Sequence, residues 1–445
     1  MPGNVKEDNG ERLGKVLVLS LDGTPYNLLL ERMKSRPASP WHQLLKQAPL
    51  HRIRSSRPEV SSVAWASYLT GTTPSHHGIF GFADRSFSPF RLYYPNGSHL
   101  RQPTLFERVH DAGGTVVSLN VPGTSPAKPL RGIVVGGFLI PSLDDNVQPQ
   151  ERITELRNMG YTVDSDPALA HQNRDAFLDS LISIQEARIA AGLQYAEEFD
   201  WNLFHLHLME PDRLYHFYWG EPEYDVRFHQ FLDRVDEAVS RFAEIAHKKN
   251  AALVLLSDHG FTRARRIFFI NAFLKMAGLL SFNGPPSLEN IHPQSRAYAL
   301  PPGRIFLNLR GREPMGRVSS GKEAEALLQQ LEGMFREIKD PQTGEKLIED
   351  VLRPSQYDPG PLTHQASDLL LAGKEGVDMK ADFLAEKVLS TPRVLVGTHT
   401  YKNAFFHVSN AELPKWKEDE GDVSAAGRHV AHLLHLPKSN SFKLL

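Results

Sequence analysis

The sequence predicts an α/β fold: a three-layer α/β/α sandwich around a mostly parallel central sheet, with small cap insertions. Three observations predict it. Apolar runs of strand length, without polar alternation, read as strands buried on both faces. These runs alternate along the chain with amphipathic helical segments, the order expected of parallel strands joined by helical crossovers. Several of the runs end in Asp, His or Ser rather than in a plain turn.

The elements follow in order. Lys15 to Leu21 is an apolar strand ending at Asp22-Gly23. Ser61 and Ser62 stand where a helix begins, and Val63 to Leu69 can continue it. Thr104 to Ala112 is a short helix after Pro103, and Gly113-Gly114 lead into the strand Thr115 to Val121. Arg131 to Ile140 reads as a further strand. Asp175 to Glu198 is helical, with Phe177, Leu178, Leu181, Ile182, Ile189 and Leu193 near a 3.6-residue period. Trp201 to Leu208 is a strand; Val226 to Lys249 is a long amphipathic helix feeding the strand Ala251 to Leu256. Glu323 to Ile338 is helical and Asp368 to Ala372 a short strand. Residues 1–14 are polar and charged and are expected to be a flexible N-terminal segment; 15–445 are expected to form one catalytic domain. The stretches 81–100, rich in aromatics and arginine, and 262–320, rich in proline and glycine, fit the alternation poorly and are expected to be caps over the sheet edge.

Composition excludes several classes. A net charge of −2 gives no general case for a nucleic-acid polymer or an anionic membrane surface. The chain has no cysteine, which removes disulfides, thiolate metal sites and a Cys nucleophile and leaves oxygen and nitrogen ligands. No apolar run approaches the ~20 residues that span a bilayer, and the first 14 residues lack the apolar core of a secretory signal. A cytoplasmic protein acting on small molecules, with no membrane partner, is the expectation; the oligomeric state is open.

Ligands of open α/β sheets bind beyond the carboxyl ends of the strands. The polar residues placed there are Asp22, then Asp212 and His216, then Asp258 and His259 within Ser257-Asp-His-Gly260, and finally His399 within Gly397-Thr-His-Thr400. Each has a plain alternative: a turn former for Asp22, a helix cap for Asp212, a loop histidine for His399. Together, three Asp and three His on one sheet edge suit two divalent ions, which clamp the attacking and leaving oxygens of a phosphoryl transfer. Asp212 and His216 are four apart, so a helical turn sets both on one face. Ser61, at a helix N-terminus, meets free backbone N–H groups and the positive end of the dipole. It reads either as a cap or as a metal-activated nucleophile.

Taken together, Leu19-Ser-Leu-Asp-Gly23, Val60-Ser61 through Thr70-Gly71, Pro74-Ser-His-His-Gly78, Pro211-Asp-Arg-Leu-Tyr-His216, Ser257-Asp-His-Gly260 and Gly397-Thr-His399 resemble the alkaline phosphatase superfamily, in its type I phosphodiesterase/nucleotide pyrophosphatase branch and the related predicted phosphohydrolases or phosphomutases. The resemblance runs from Val16 to about Phe406. It implies a two-metal hydrolase of phosphoric esters, phosphodiesterase or phosphomonoesterase, working through a phosphorylated Ser61. Asp22, Ser61, Asp258 and His259 would hold one ion; Asp212, His216 and His399 would hold the other. Zinc is the ion it implies first, with manganese the alternative. A phosphomutase using the same serine and a non-catalytic binding protein are the rival readings; the mutase lacks room, since no large domain follows Ser61. Phosphodiesterases of this branch carry Thr at the nucleophile position, and some place an Asn about twenty residues later. Here the residues are Ser61 and Phe80-Gly-Phe82, which weighs against a nucleotide diester. Arg85 and Lys402 are the candidate substrate-binding residues.

Overall fold

The computed structural model describes residues 13–37, 39–138, 142–411 and 421–437. Residues 1–12 of the expected flexible segment, and Leu139 and Ile140 of the expected strand, lie outside the described residues. An eight-stranded sheet forms the centre. Its order is Leu50–Ile53, Ala404–Ser409, Ala252–Leu256, Val16–Leu21, Leu203–Leu208, Val116–Pro122, Gly132–Gly137 and Val147–Gln148. The five strands from Ala252–Leu256 to Gly132–Gly137 are mutually parallel, and antiparallel partners close the sheet on both sides.

Alternation along each buried strand feeds two cores. Leu17, Leu19 and Leu21 enter one core, while Val16 and Val18 enter the other. Helices Tyr26–Ser35, Pro40–Gln47, Arg174–Glu198 and Asp225–Lys248 cover the first face. Ser61–Thr70, Leu105–Asp111 and Val423–Leu433 cover the second. This is the three-layer sandwich that the alternating pattern predicted. The helix 105–111 starts on a capping box, Thr104 Oγ1 accepting from the Glu107 N–H and the Glu107 carboxylate from the Thr104 N–H. Gly427 lets Val423–Leu433 lie directly on helix Ser61–Thr70: a Cβ there would stand 1.9 Å from the Tyr68 carbonyl oxygen.

The stretch expected to be a cap over 262–320 belongs to a larger unit. A separate apolar core gathers residues from Phe268 to Phe383. Its sheet runs in the order Ala297–Leu300, Arg304–Leu307, Leu369–Gly373, Ile348–Leu352, antiparallel throughout, with helix Lys322–Glu337 packed on it. The helix and the strand read near 330 and 370 therefore serve this unit and not the main sheet. An amphipathic helix carries no mark of which sheet it will cover, which is why periodicity alone did not separate them. The 81–100 excursion contains the hairpin Asp84–Phe87/Phe90–Tyr93, and Phe90 anchors it against the second core.

Candidate metal centre

The parallel strands deliver their last residues to one edge. Asp22 follows Val16–Leu21, and Gly23 takes φ +65°, where a Cβ would stand 2.6 Å from the Phe261 ring. Asp258 and His259 follow Ala252–Leu256, and Asp258 accepts from the Gly23 N–H at 3.1 Å. Asp212 and His216 sit one turn apart on helix Glu210–Tyr218, 3.6 Å between Oδ1 and Nε2. His399 arrives from the strand Gly397–Thr400, which pairs antiparallel with Gly260–Arg263 and sets Phe261 opposite His399. Ser61 opens helix Ser61–Thr70.

These seven side chains converge. Ser61 Oγ lies 3.3 Å from Asp22 Oδ1 and 3.2 Å from His259 Nε2. Asp212 Oδ1 lies 3.4 Å from His399 Nε2. Donor atoms of Asp22, Asp258 and His259 all fall within 4.8 Å of one another, as do those of Asp212, His259 and His399. His259 thus stands between the two sets, its ring stacked on His399 at 3.7 Å between centroids.

The donor set fits divalent cations. Each imidazole has Nδ1 at a backbone carbonyl: His216 at Gly397 (3.2 Å), His259 at Gly260 (3.2 Å) and His399 at Glu59 (2.9 Å). Nδ1 then donates, and a bare Nε2 faces the site, the orientation metal-binding histidines adopt. His216 Nε2 and His399 Nε2 are only 3.1 Å apart. Two lone pairs at that distance repel unless a proton or a cation lies between them. Asp212 Oδ1 and Asp258 Oδ2 are buried with no hydrogen-bond partner among the described residues, a costly state that a cation relieves.

Titration follows from the same crowding. Burial, then the Asp212 charge, pushes Asp22 up to about 6. Burial and the Asp22 charge raise Asp258 well above the usual carboxylate range. Burial also acts to raise Asp212, but His216, His399 and Arg213 outweigh it and hold that carboxyl low. Burial lowers His259 to about 3 and His216 to about 4, leaving neutral ligands. Burial opposes protonation of His399, yet its contacts with Asp212 prevail and raise it.

The site opens into a cleft of about 750 Å³ between the sheet edge and the second core. Phe82, Phe138, Pro301, Pro302 and Met379 give it apolar walls; Arg57, Lys374, Lys380 and Lys402 add cations. Lys402 stands at this cleft, mostly exposed, its Nζ 3.9 Å from Glu349. Arg85 does not reach it. Its guanidinium is buried, 3.7 Å over the Phe306 ring and 3.6 Å from Glu313, so the expectation that it binds substrate is corrected. A buried guanidinium in a β-hairpin finds its partner inside the second core, whose extent the sequence had not revealed.

Three neighbours of the candidate ligands were not singled out in the sequence. Trp65 Nε1 donates to Asp22 Oδ2 at 2.9 Å, and His207 Nε2 lies 3.2 Å from the same oxygen. Arg213 bridges Asp212 and Asp164, each at 2.7 Å. Trp65 follows Ser61 by one helical turn, so the i, i+4 rule could have flagged it. His205 and His207 alternate on a strand and so share a face, another legible signal.

Solved structures share the fold. A phosphonoacetate hydrolase from Sinorhizobium meliloti 1021, solved with phosphonoacetate, is 16% identical with a TM-score of 0.67, covering 96% of this chain and 98% of its own. Murine ectonucleotide pyrophosphatase / phosphodiesterase 5 is 14% identical with a TM-score of 0.59, covering 95% of each chain. An inactive variant of it, solved with AMP, superposes equally well, with 14% identity, a TM-score of 0.59 and coverage of 95% and 96%. Among curated proteins none matches by sequence. The family profile described as type I phosphodiesterase / nucleotide pyrophosphatase matches residues 16–402, and the protein belongs to that family of phosphoric ester hydrolases.

Proposed function

We propose that the protein hydrolyses phosphoric esters with two divalent ions and Ser61 as nucleophile. Asp22, Asp258, His259 and Ser61 would hold one ion, and Asp212, His216 and His399 the other, with His259 between them. Zinc suits the mixed carboxylate–imidazole donors best; manganese is the alternative. Bound there, the ions would lower the pKa of a hydroxyl and offset charge on the phosphoryl oxygens.

The protein's own part is orientation. Ser61 Oγ is held at a helix start whose first N–H groups have no helical acceptor and can meet a phosphoryl oxygen. Attack forms the Oγ–P bond and breaks the bond from phosphorus to the leaving alkoxide, which departs as the alcohol. Water then cleaves the phosphorylated serine, releasing phosphate from a monoester or the remaining phosphomonoester from a diester, and restores Ser61. The cleft accommodates a leaving group much larger than phosphate. The convergence of Asp22 and His259 on Ser61 Oγ, at 3.3 and 3.2 Å, carries this reading.

The test is turnover of p-nitrophenyl phosphate and of its bis ester by Zn²⁺- or Mn²⁺-loaded protein, wild type against Ser61→Ala. Loss of at least ~10³-fold in kcat is expected, since nucleophile and metal activation go together. Equal rates would overturn the mechanism. The ratio of the two substrates separates monoesterase from diesterase.

A further inference from the structure

We propose that Trp65 and His207 are positioning residues that clamp one oxygen of Asp22 and thereby fix its other oxygen on Ser61; this rests on the metal reading above. Asp22 is wholly buried, so how it turns is decided by its neighbours. Trp65 Nε1–H donates to Oδ2 at 2.9 Å. His207 Nε2 lies 3.2 Å from that same Oδ2, off the line of a straight hydrogen bond. The Trp65 ring also packs edge-on against His207 at 4.7 Å, so the two side chains hold one another in place. Oδ1 is left for Ser61 Oγ at 3.3 Å.

The clamp continues into the sheet. His207 Nδ1 lies 2.9 Å from Ser20 Oγ, and Ser20 Oγ lies 2.9 Å from His205 Nε2. A carboxylate only accepts, so a proton on His207 Nε2 is the tautomer that Asp22 favours. In that tautomer Nδ1 takes the Ser20 hydroxyl proton and Ser20 Oγ accepts from His205 Nε2–H; Ser20 Oγ also lies 3.4 Å from the Leu206 carbonyl oxygen, its other acceptor. These side chains touch no cleft, and all are 0% exposed, so contact with substrate does not account for them. A core of this kind filled with hydrophobes would bury no polar groups at all.

The experiment measures Zn²⁺ affinity by calorimetry on the metal-stripped full chain, beside kcat, KM and the Tm of the stripped protein. Trp65→Phe keeps the ring and loses the donor. His207→Leu loses the donor, and His207→Gln keeps an amide N–H near the Nε2 position. Trp65→Phe and His207→Leu should weaken Zn²⁺ about 10- to 100-fold, with KM for p-nitrophenyl phosphate unchanged and kcat recovering as Zn²⁺ is raised. His207→Gln should return most of the affinity. If His207→Leu does not fold, Trp65→Phe decides. Wild-type Zn²⁺ affinity in Trp65→Phe, or a loss confined to the Tm of the stripped protein, would overturn the proposal. A wild type that takes up no Zn²⁺ would overturn the metal reading itself and this inference with it.

Discussion

Substituting Gly427 by alanine should disturb a site it never touches. The new Cβ would stand 1.9 Å from the Tyr68 carbonyl oxygen and 2.8 Å from its carbon, where only backbone could yield. Helices Val423–Leu433 and Ser61–Thr70 must therefore part by about 1 Å to restore contact distance. Overpacking of this kind costs about 1–3 kcal/mol, or a Tm lower by roughly 1–3 °C in a protein of this size. Ser61, the proposed nucleophile, rides on the displaced helix. A misplacement of 1 Å can cost about 10²-fold in rate, so half of that reaching Ser61 would lower kcat roughly tenfold. Thermal unfolding and p-nitrophenyl phosphate kinetics read both effects. Gly333→Ala supplies the control: it lies within helix Lys322–Glu337, and a Cβ there meets nothing within 4 Å. It should stabilise by about 0.5–1 kcal/mol and leave kcat alone. Wild-type Tm and kcat in Gly427→Ala would refute the argument that this close helix contact seats Ser61.

Further outcomes follow from other parts of the structure. Chelation should abolish turnover, and Zn²⁺ at about 100-fold its Kd should raise stability by ~2.7 kcal/mol, read as a Tm shift. Lys380→Ala should raise KM several-fold with kcat largely kept, since that ammonium lines the cleft, is held 3.0 Å from Asp378, and lies close enough to His216 to help depress its pKa. His77 is buried, with Nε2 3.0 Å from Ser67 Oγ and Nδ1 accepting from the Ile79 N–H, and burial lowers it to about 3. Its neutral form is native, so its contribution is complete above pH ~6.5 and is lost as pH falls from there towards 3. Between pH 6 and 4, urea midpoints of wild type should fall more steeply than those of His77→Asn, by up to about 1.4 kcal/mol per pH unit. Parallel slopes would show that His77 is not held neutral.

Much of the centre was legible because strands buried on both faces leave little choice. Ala251 to Leu256 and Lys15 to Leu21 had to be central, and the polar residues ending them had to share an edge. The i, i+4 pair Asp212 and His216 was legible from helical geometry alone. Other parts were not. Ala404–Ser409 runs antiparallel between Ala252–Leu256 and Leu50–Ile53, and nothing in its six residues states that direction. The second core was underestimated because its strands are only four or five residues long and are paired by turns and contacts far apart in sequence. Trp65, His207 and Arg213 escaped notice because their role is to hold another residue, and such partners are set by packing across elements. The place of His259 between both donor sets depends on how the ribbon Gly260–Arg263/Gly397–Thr400 folds back, which no local pattern encodes.

That ribbon has a consequence for the architecture as a whole. The chain leaves for the second core directly after Gly260–Arg263 and comes back through Gly397–Thr400, so the insertion hangs from a two-stranded stalk. The residue just before the outgoing strand is His259, and the returning strand carries His399. The two strands hold their register on each other, through the pairs Gly260 with Thr400 and Phe261 with His399, while the inserted material adds its own contacts, Asp358 with Ser75 and Val396 N–H with the His216 carbonyl. Under the proposed function, substrate choice and bond-breaking chemistry would then fall to different parts of the chain: the inserted module would shape the cleft for the leaving group, and the sheet edge that carries Ser61 would do the chemistry.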